Sequence, residues 1–304
     1  MNRRRAIKTI AVSVFVVIAL AFFGFALVKA WSDTNGDLPS VPRLVAAGLL
    51  WAGGLMAGAW AWALLLGGGR RLHHGAGFVV SQLAKYVPGG IWQATGQVGL
   101  AKSAGIPVSQ GATAFSVLAI CQVIAGCTFG IALAVTWTDA APWIRILCAA
   151  GGLAALALLD RRWMVWALHK IPRFRDAREA LVPPQRMIFF AWGASVVTLL
   201  ATGGAYVILL GSFGAVHNPM FVLSAYAAAW TVGFVAVPIP SGVGVREAVL
   251  VFILHGTFPS SVLVATSVYH RLTSVAAEGL MALIASQQLR PRRNKAVPQP
   301  EPGD

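Results

Sequence analysis

Apolar runs of about 20 residues, separated by short basic stretches, govern what this chain can fold into. A helix rises about 1.5 Å per residue, so about 20 apolar residues cross the ~30 Å hydrocarbon core of a bilayer. Runs of this kind fall near residues 7–29, 42–66, 109–136, 142–160, 187–211 and 260–287. Two further regions, 75–105 and 220–257, are too broken for one helix and too apolar for a loop. The expectation is an all-α polytopic membrane protein with about six full transmembrane helices plus two re-entrant helical hairpins.

Charge supports that reading. Charged residues make up 11% of the chain, against about 25% in an average soluble domain. Lys and Arg number 24 against 10 Asp and Glu, a net charge of +14. Such a balance can signal nucleic acid, but here the cations gather beside apolar spans, where they encode topology, so nucleic acid is not an expected partner. Arg3 to Arg5 and Lys8 place the N-terminus inside; Asp33 and Asp37 then lie outside, Arg70 and Arg71 inside, and Asp139 outside. Residues 160–186 are rich in Lys and Arg and are expected inside, as a basic amphipathic segment with Trp163 and Trp166 at headgroup level. The tail, 291–304, is expected to be disordered and inside. A multi-pass protein of the cell inner membrane follows, with both termini cytoplasmic. The uncharged run from Thr9 to Val28 exceeds the ~7–15 apolar residues of a cleaved signal peptide, so a retained first helix is expected. Cys121, Cys127 and Cys148 all fall in apolar segments and read as core packing.

The two broken regions align at a constant offset of 152 residues. Val87-Pro88-Gly89-Gly90-Ile91 lies on Ile239-Pro240-Ser241-Gly242-Val243, and Ile106-Pro107 lies on Phe258-Pro259. The first copy starts from the inner side after Arg71 and the second from the outer side after Asn218, so the copies are inverted. One domain, 1–290, is expected, with repeat 1 at about 7–136 and repeat 2 at about 142–288. Inverted repeats with interrupted helices are a transporter arrangement; two proline-kinked spans in an ordinary bundle are the alternative. Pro88, Gly89 and Gly90 in one copy, and Pro238, Pro240 and Ser241 in the other, would make the hairpin breaks. Past each break a helix begins, near Ile91 and near Val243, and its unpaired N–H groups suit an anion.

Glu247 and Glu278 are the two acidic residues well inside the membrane region, joined there by Lys85, Gln122, Arg246, His270 and Arg271. Ionisable groups at that depth cost at least ~2.5–3.5 kcal/mol each on insertion scales, so they are generally paired and cavity-facing. Ser267, Arg271, Ser274 and Glu278 recur at steps of 4, 3 and 4 and form one polar helix face. Glu247 suits the first turn of its short helix, whereas Arg246 does not unless it serves an anion. The candidate headgroup site is therefore Lys85, Arg246 and Arg271 with Gly242 and Gly244, while Glu247 and Glu278 hold the arginines as ion pairs. A purely structural Arg–Glu network, such as Arg271 with Glu247, is the other reading, and the two can coexist. Lys85 either snorkels to the inner headgroups or joins the cavity. His73-His74 reads as a solvated inner turn rather than a metal site, and Gly67-Gly68-Gly69 lacks the lysine of a nucleotide-binding loop. No metal, cofactor or catalytic residue is expected, and the chain reads as a non-enzyme.

At KYVPGG, residues 85–90, and PIPSGVGVRE, residues 238–247, the chain resembles the lysylphosphatidylglycerol synthase transmembrane-region, or flippase-like domain, family. It looks like a stand-alone version of the flippase half of the multiple peptide resistance factor proteins, over most of residues 5–290. The family motif falls on Lys85, Pro88, Gly89, Gly90, Pro240, Gly242, Gly244, Arg246, Glu247 and Arg271. Cys121-Gln122 stands where many members show a Glu-Arg pair, and Ser241 where glycine is common. With no aminoacyl-transfer domain after Arg290, synthesis of a lysyl lipid is not expected. The resemblance implies a membrane protein that moves or binds an anionic lipid, either a phospholipid or one linked to polyprenyl phosphate. The alternative is a non-transporting scaffold that partners a glycosyltransferase or lipid-modifying enzyme through its inner basic segment.

Overall fold

The structure is a computed structural model, and it describes Val28 and residues 38–67, 69–86, 92–170, 182–236 and 244–289. Most of the expected 7–29 crossing lies outside the described residues. So do Pro88, Gly89, Gly90, Pro238, Pro240, Ser241 and Gly242, residues 171–181 of the basic segment, and the tail. Among the described residues every regular element is helical: α1 Val41–Leu66, α2 Arg71–Ser81, a 3-10 turn Gln82–Tyr86, α3 Trp92–Ser103, α4 Val108–Thr136, α5 Pro142–Ala157, α6 Arg161–Lys170, α7 Gln185–Leu210, α8 Pro219–Val235, α9 Val245–Leu254 and α10 Ser260–Leu289. The chain is an all-α membrane fold. α1, α4 and α7 are each long and apolar enough to cross a membrane, and α5 and α8 are shorter apolar helices. The helix ends follow the chemistry of their caps. Asn218 accepts a hydrogen bond from Phe221 N at 3.0 Å with Pro219 at the first helical position, and Asp160 accepts from Arg162 N at 2.8 Å at the start of α6.

Several helix bounds recur at the same 152-residue offset. Adding 152 to 92–103 gives 244–255, against α9 at 245–254, and adding it to 108–136 gives 260–288, against α10 at 260–289. Adding 152 to 71–86 gives 223–238, which overlaps α8 at 219–235. For α1 and α7 the offset is 185 − 41 = 144, because the connection before α8 (211–218) is four residues longer than that before α2 (67–70) and α8 starts four residues earlier in register. Packing repeats as well. Within one half α1 meets α2, α2 meets α3, and α3 meets α4; within the other α7 meets α8, α8 meets α9, and α9 meets α10. Between the halves, α4 packs on α8 as α10 packs on α2, α4 on α7 as α10 on α1, and α1 on α7. Exchanging the two halves maps these pairs onto themselves.

Large apolar side chains are exposed, and a smaller set of polar side chains is buried within an otherwise apolar core. Large side chains such as Leu49, Trp60, Trp143, Ile146 and Leu283 are exposed, while Gln82, Gln97, His270, Ser274 and Glu278 are buried. Without a hydrophobic drive between helices in lipid, close contact relies on small residues. α4 and α5 use glycine reciprocally: a Cβ at Gly130 would lie 2.7 Å from the Cys148 carbonyl oxygen, and one at Gly152 would lie 2.9 Å from that of Cys127. All three cysteines are free thiols, and Cys121 is fully buried. Gly130→Ala should therefore lower the thermal midpoint of the detergent-solubilised protein, by the equivalent of about 1–3 kcal/mol. Gly151→Ala, whose Cβ would meet nothing within 4 Å, should leave that midpoint unchanged or slightly raised.

Candidate functional site

A cavity of about 420 Å³ opens where the two halves meet. Its walls come in related pairs. At the 152 offset, Phe78 and Trp230, Gln82 and Phe234, Ala84 and Ala236, Ala119 and Arg271, and Gln122 and Ser274 all line it. At the 144 offset of the long helices, Gly54 and Thr198, and Gly58 and Thr202, line it too. The cavity is therefore lined by offset-related positions of both halves, although the side chains at those positions differ in chemistry.

The deepest charge is Glu278 on α10, only 1% exposed. Three donors surround its carboxylate: Trp51 Nε1 donates to Oε1 at 3.0 Å, Lys85 Nζ to Oε1 at 2.5 Å and Tyr86 OH to Oε2 at 3.0 Å. Lys85 is fixed further by aromatic faces, with Nζ 5.8 Å from the Trp51 ring centroid and 5.3 Å from that of Tyr86. The 3-10 turn at the end of α2 makes this possible, because it carries Lys85 and Tyr86 inward together and against α10.

A second ion pair joins α9 to α10. Glu247 spends one oxygen on its own helix, Oε2 accepting from Gly244 N at 2.7 Å, which stabilises the positive end of α9. Its Oε1 accepts from Arg271 Nε at 2.7 Å. Arg271 Nη2 also lies 2.7 Å from that oxygen, in charge contact but without a hydrogen-bond alignment of its own. Gly244 has φ 85°, the left-handed region that glycine enters without strain, and it turns the chain into α9. Arg246 points the other way: its guanidinium lies over the Tyr226 ring, 4.5 Å from the centroid, and an Nη donates to the Tyr226 hydroxyl. His270 makes T-shaped ring contacts with Trp51, Tyr206 and Tyr226, and its Nε2 donates to the Thr202 carbonyl oxygen at 3.0 Å.

Lys85, Arg246, Arg271 and Glu278 line one cavity, with Glu247 behind Arg271. Gly244 stands at the start of α9 beside them, and Gly242 lies outside the described residues. The expectation that Glu278 holds an arginine is corrected: its hydrogen bonds come from Lys85, Trp51 and Tyr86, since Arg271 two turns earlier on α10 is drawn aside by Glu247. Of the two readings of Lys85, the structure chooses the cavity. His73-His74 is corrected too, because both belong to the first turn of α2 and His74 is only 4% exposed. Tyr86, Trp51 and Tyr226 were not foreseen. Tyr86 adjoins Lys85 and so carried a local signal, but Trp51 and Tyr226 sit in helices whose neighbours are apolar, and nothing near them in sequence marks their polar ends as partners of charge.

Lys85→Met alone should destabilise the protein strongly, by about 3–5 kcal/mol, because it strands a buried carboxylate. The double variant Lys85→Met with Glu278→Gln should recover most of that loss. Thermal unfolding of both proteins in the same detergent measures the difference.

Among known proteins, residues 7–280 match the family described as the lysylphosphatidylglycerol synthase TM region. No curated protein and no solved structure matches the chain. The match covers most of the sequence and includes every charged residue of the cavity, so the chain belongs to the lysylphosphatidylglycerol synthase TM region family.

Proposed function

We propose that this protein is a flippase-like lipid transporter of the inner membrane, with both termini cytoplasmic, whose cavity receives the anionic headgroup of a lipid. The observation that carries the reading is a charge imbalance. Lys85, Arg246 and Arg271 meet two carboxylates, Glu278 and Glu247, each already engaged by another cation. Arg246 has only the tyrosine, with no acidic partner among the described residues. A cation at membrane depth is costly unless countered, and a phosphate entering the cavity supplies the missing charge. Arginine suits that role through its planar fork of donors. The duplicated helix packing supports two inverted halves with re-entrant hairpins that alternate around a fixed site. Both ion pairs join a hairpin to α10: Lys85 from the first to Glu278, and Glu247 from the second to Arg271. A phosphate competing for Lys85 or Arg271 loosens the corresponding hairpin and couples binding to movement.

Arg246→Ala and Arg271→Ala should each abolish lipid translocation in reconstituted vesicles while the purified proteins keep their helical circular dichroism. Deleting residues 161–179, the basic segment through which a scaffold would hold an enzyme partner, should largely spare translocation. Unchanged translocation in both arginine variants, or its complete loss in the deletion, would refute the transporter reading.

A further inference from the structure

The two halves of the cavity differ in chemistry. At the 152 offset Ala119 occupies the place of Arg271, and Gln122 that of Ser274. Residue 246 − 152 = 94 is Ala94, in the place of Arg246, and residue 278 − 152 = 126 is Gly126, in the place of Glu278. The charges thus collect on the second half and on Lys85, while the rest of the first half offers amides: Gln82, Gln93 and Gln122. Gln93 Nε2 donates to Gln82 Oε1 at 3.0 Å, and that is the one hydrogen bond these three side chains make among the described residues. The remaining amide donors and acceptors of these cavity-lining residues have no partner among the described residues. The neighbouring threonines are different, since the hydroxyls of Thr198 and Thr202 already donate to helix carbonyls. Gln82 lies three residues before Lys85 in the 3-10 turn, on the same side of it, so the amides begin where the cations end. Opposite them Trp230 and Phe234 line the cavity as a stacked pair, 4.9 Å apart at 15°.

Three kinds of headgroup can be compared with this lining. A bare phosphate ester offers acceptors and satisfies the cations, but leaves the amide acceptors unmet. An aminoacylated headgroup brings ammonium groups, which need anionic acceptors; Glu278 is buried beneath three donors, and both oxygens of Glu247 are engaged. A hydroxyl both donates and accepts, so it pairs with both ends of a glutamine amide. The C–H face of a sugar or cyclitol also fits against the electron-rich face of an aromatic ring.

We propose that the headgroup is a phosphate or phosphodiester bearing an uncharged polyhydroxyl group, and that Gln82, Gln93 and Gln122 select it while the cations hold the phosphate. This rests on the anionic-site reading above. It separates this chain from the aminoacylated lipid that its family's description suggests.

The test uses the purified full chain in detergent and measures Kd for five water-soluble short-chain lipids. These are phosphatidic acid, phosphatidylglycerol, phosphatidylinositol, a polyprenyl-phosphoryl glucose, and lysylphosphatidylglycerol. At least one polyhydroxyl lipid should bind about tenfold more tightly than phosphatidic acid, although phosphatidic acid carries the greater charge, and the lysyl lipid should bind more weakly than that same polyhydroxyl lipid. The inositol and glucose arms tell a phospholipid from a polyprenyl carrier. The double variant Gln93→Met with Gln122→Met should abolish the tenfold preference, since each lost hydrogen bond is worth roughly a fivefold change. Equal binding of all four anionic lipids, tightest binding of the lysyl lipid, or an unchanged ratio in the variant overturns the headgroup assignment while leaving the anionic site intact. Failure of every anionic lipid to bind the folded protein overturns both.

Discussion

Burial of the Glu278 carboxylate in a fold solvated by lipid is the constraint on which the centre of this protein depends. A carboxylate that is 1% exposed cannot be left to the bilayer, and no single partner satisfies both of its oxygens. The chain brings it an indole from α1 and an ammonium and a phenol from the turn after α2. That requirement fixes the 3-10 turn after α2 against α10. Arg271, on the same helix, does the equivalent for α9 through Glu247. α10 is thus the element to which the turn and α9 both answer, and its mixed composition follows from that duty: its exposed side carries Leu280, Leu283 and Ile284, while Ser267, Ser274 and Glu278 are buried.

Much of the fold was legible in the chain because membrane-spanning helices announce themselves by length and apolarity alone. The expected runs at 42–66, 109–136 and 187–211 differ from α1, α4 and α7 by at most two residues at either end. The 152-residue offset read from one five-residue and one two-residue match recurs in the bounds of α3 and α9 and of α4 and α10, since proline and glycine, constrained by backbone geometry, serve as landmarks where apolar residues interchange freely. The polar face of α10 was legible from its 3- and 4-residue steps. The identity of its partners was not. A 3.6-residue period tells which way a side chain points around one helix, but not which helix lies opposite, so Glu278 could be placed inward without revealing that Lys85 rather than an arginine meets it.

Most of the cavity's uncharged lining was beyond sequence reasoning for a related reason. Its amides are spread over the turn after α2, over α3 and over α4, and its aromatic pair sits on α8. Each of these residues in isolation is an ordinary polar or aromatic side chain in a helix. Only the exchange of halves, with Phe78 answering Trp230 and Gln122 answering Ser274, gathers them into one surface. The histidine pair shows the converse error: placed beside Arg70-Arg71 they read as a solvated turn, but α2 begins at Arg71, and one turn of helix is enough to carry His74 under cover.

The packing of the described helices is duplicated but the ionic load is not, for α4 carries Ala119 and Gly126 at the places where α10 carries Arg271 and Glu278. A solute entering the cavity therefore meets ionic side chains on α9, α10 and the turn after α2, and on α4 only the uncharged Phe115, Ala119 and Gln122.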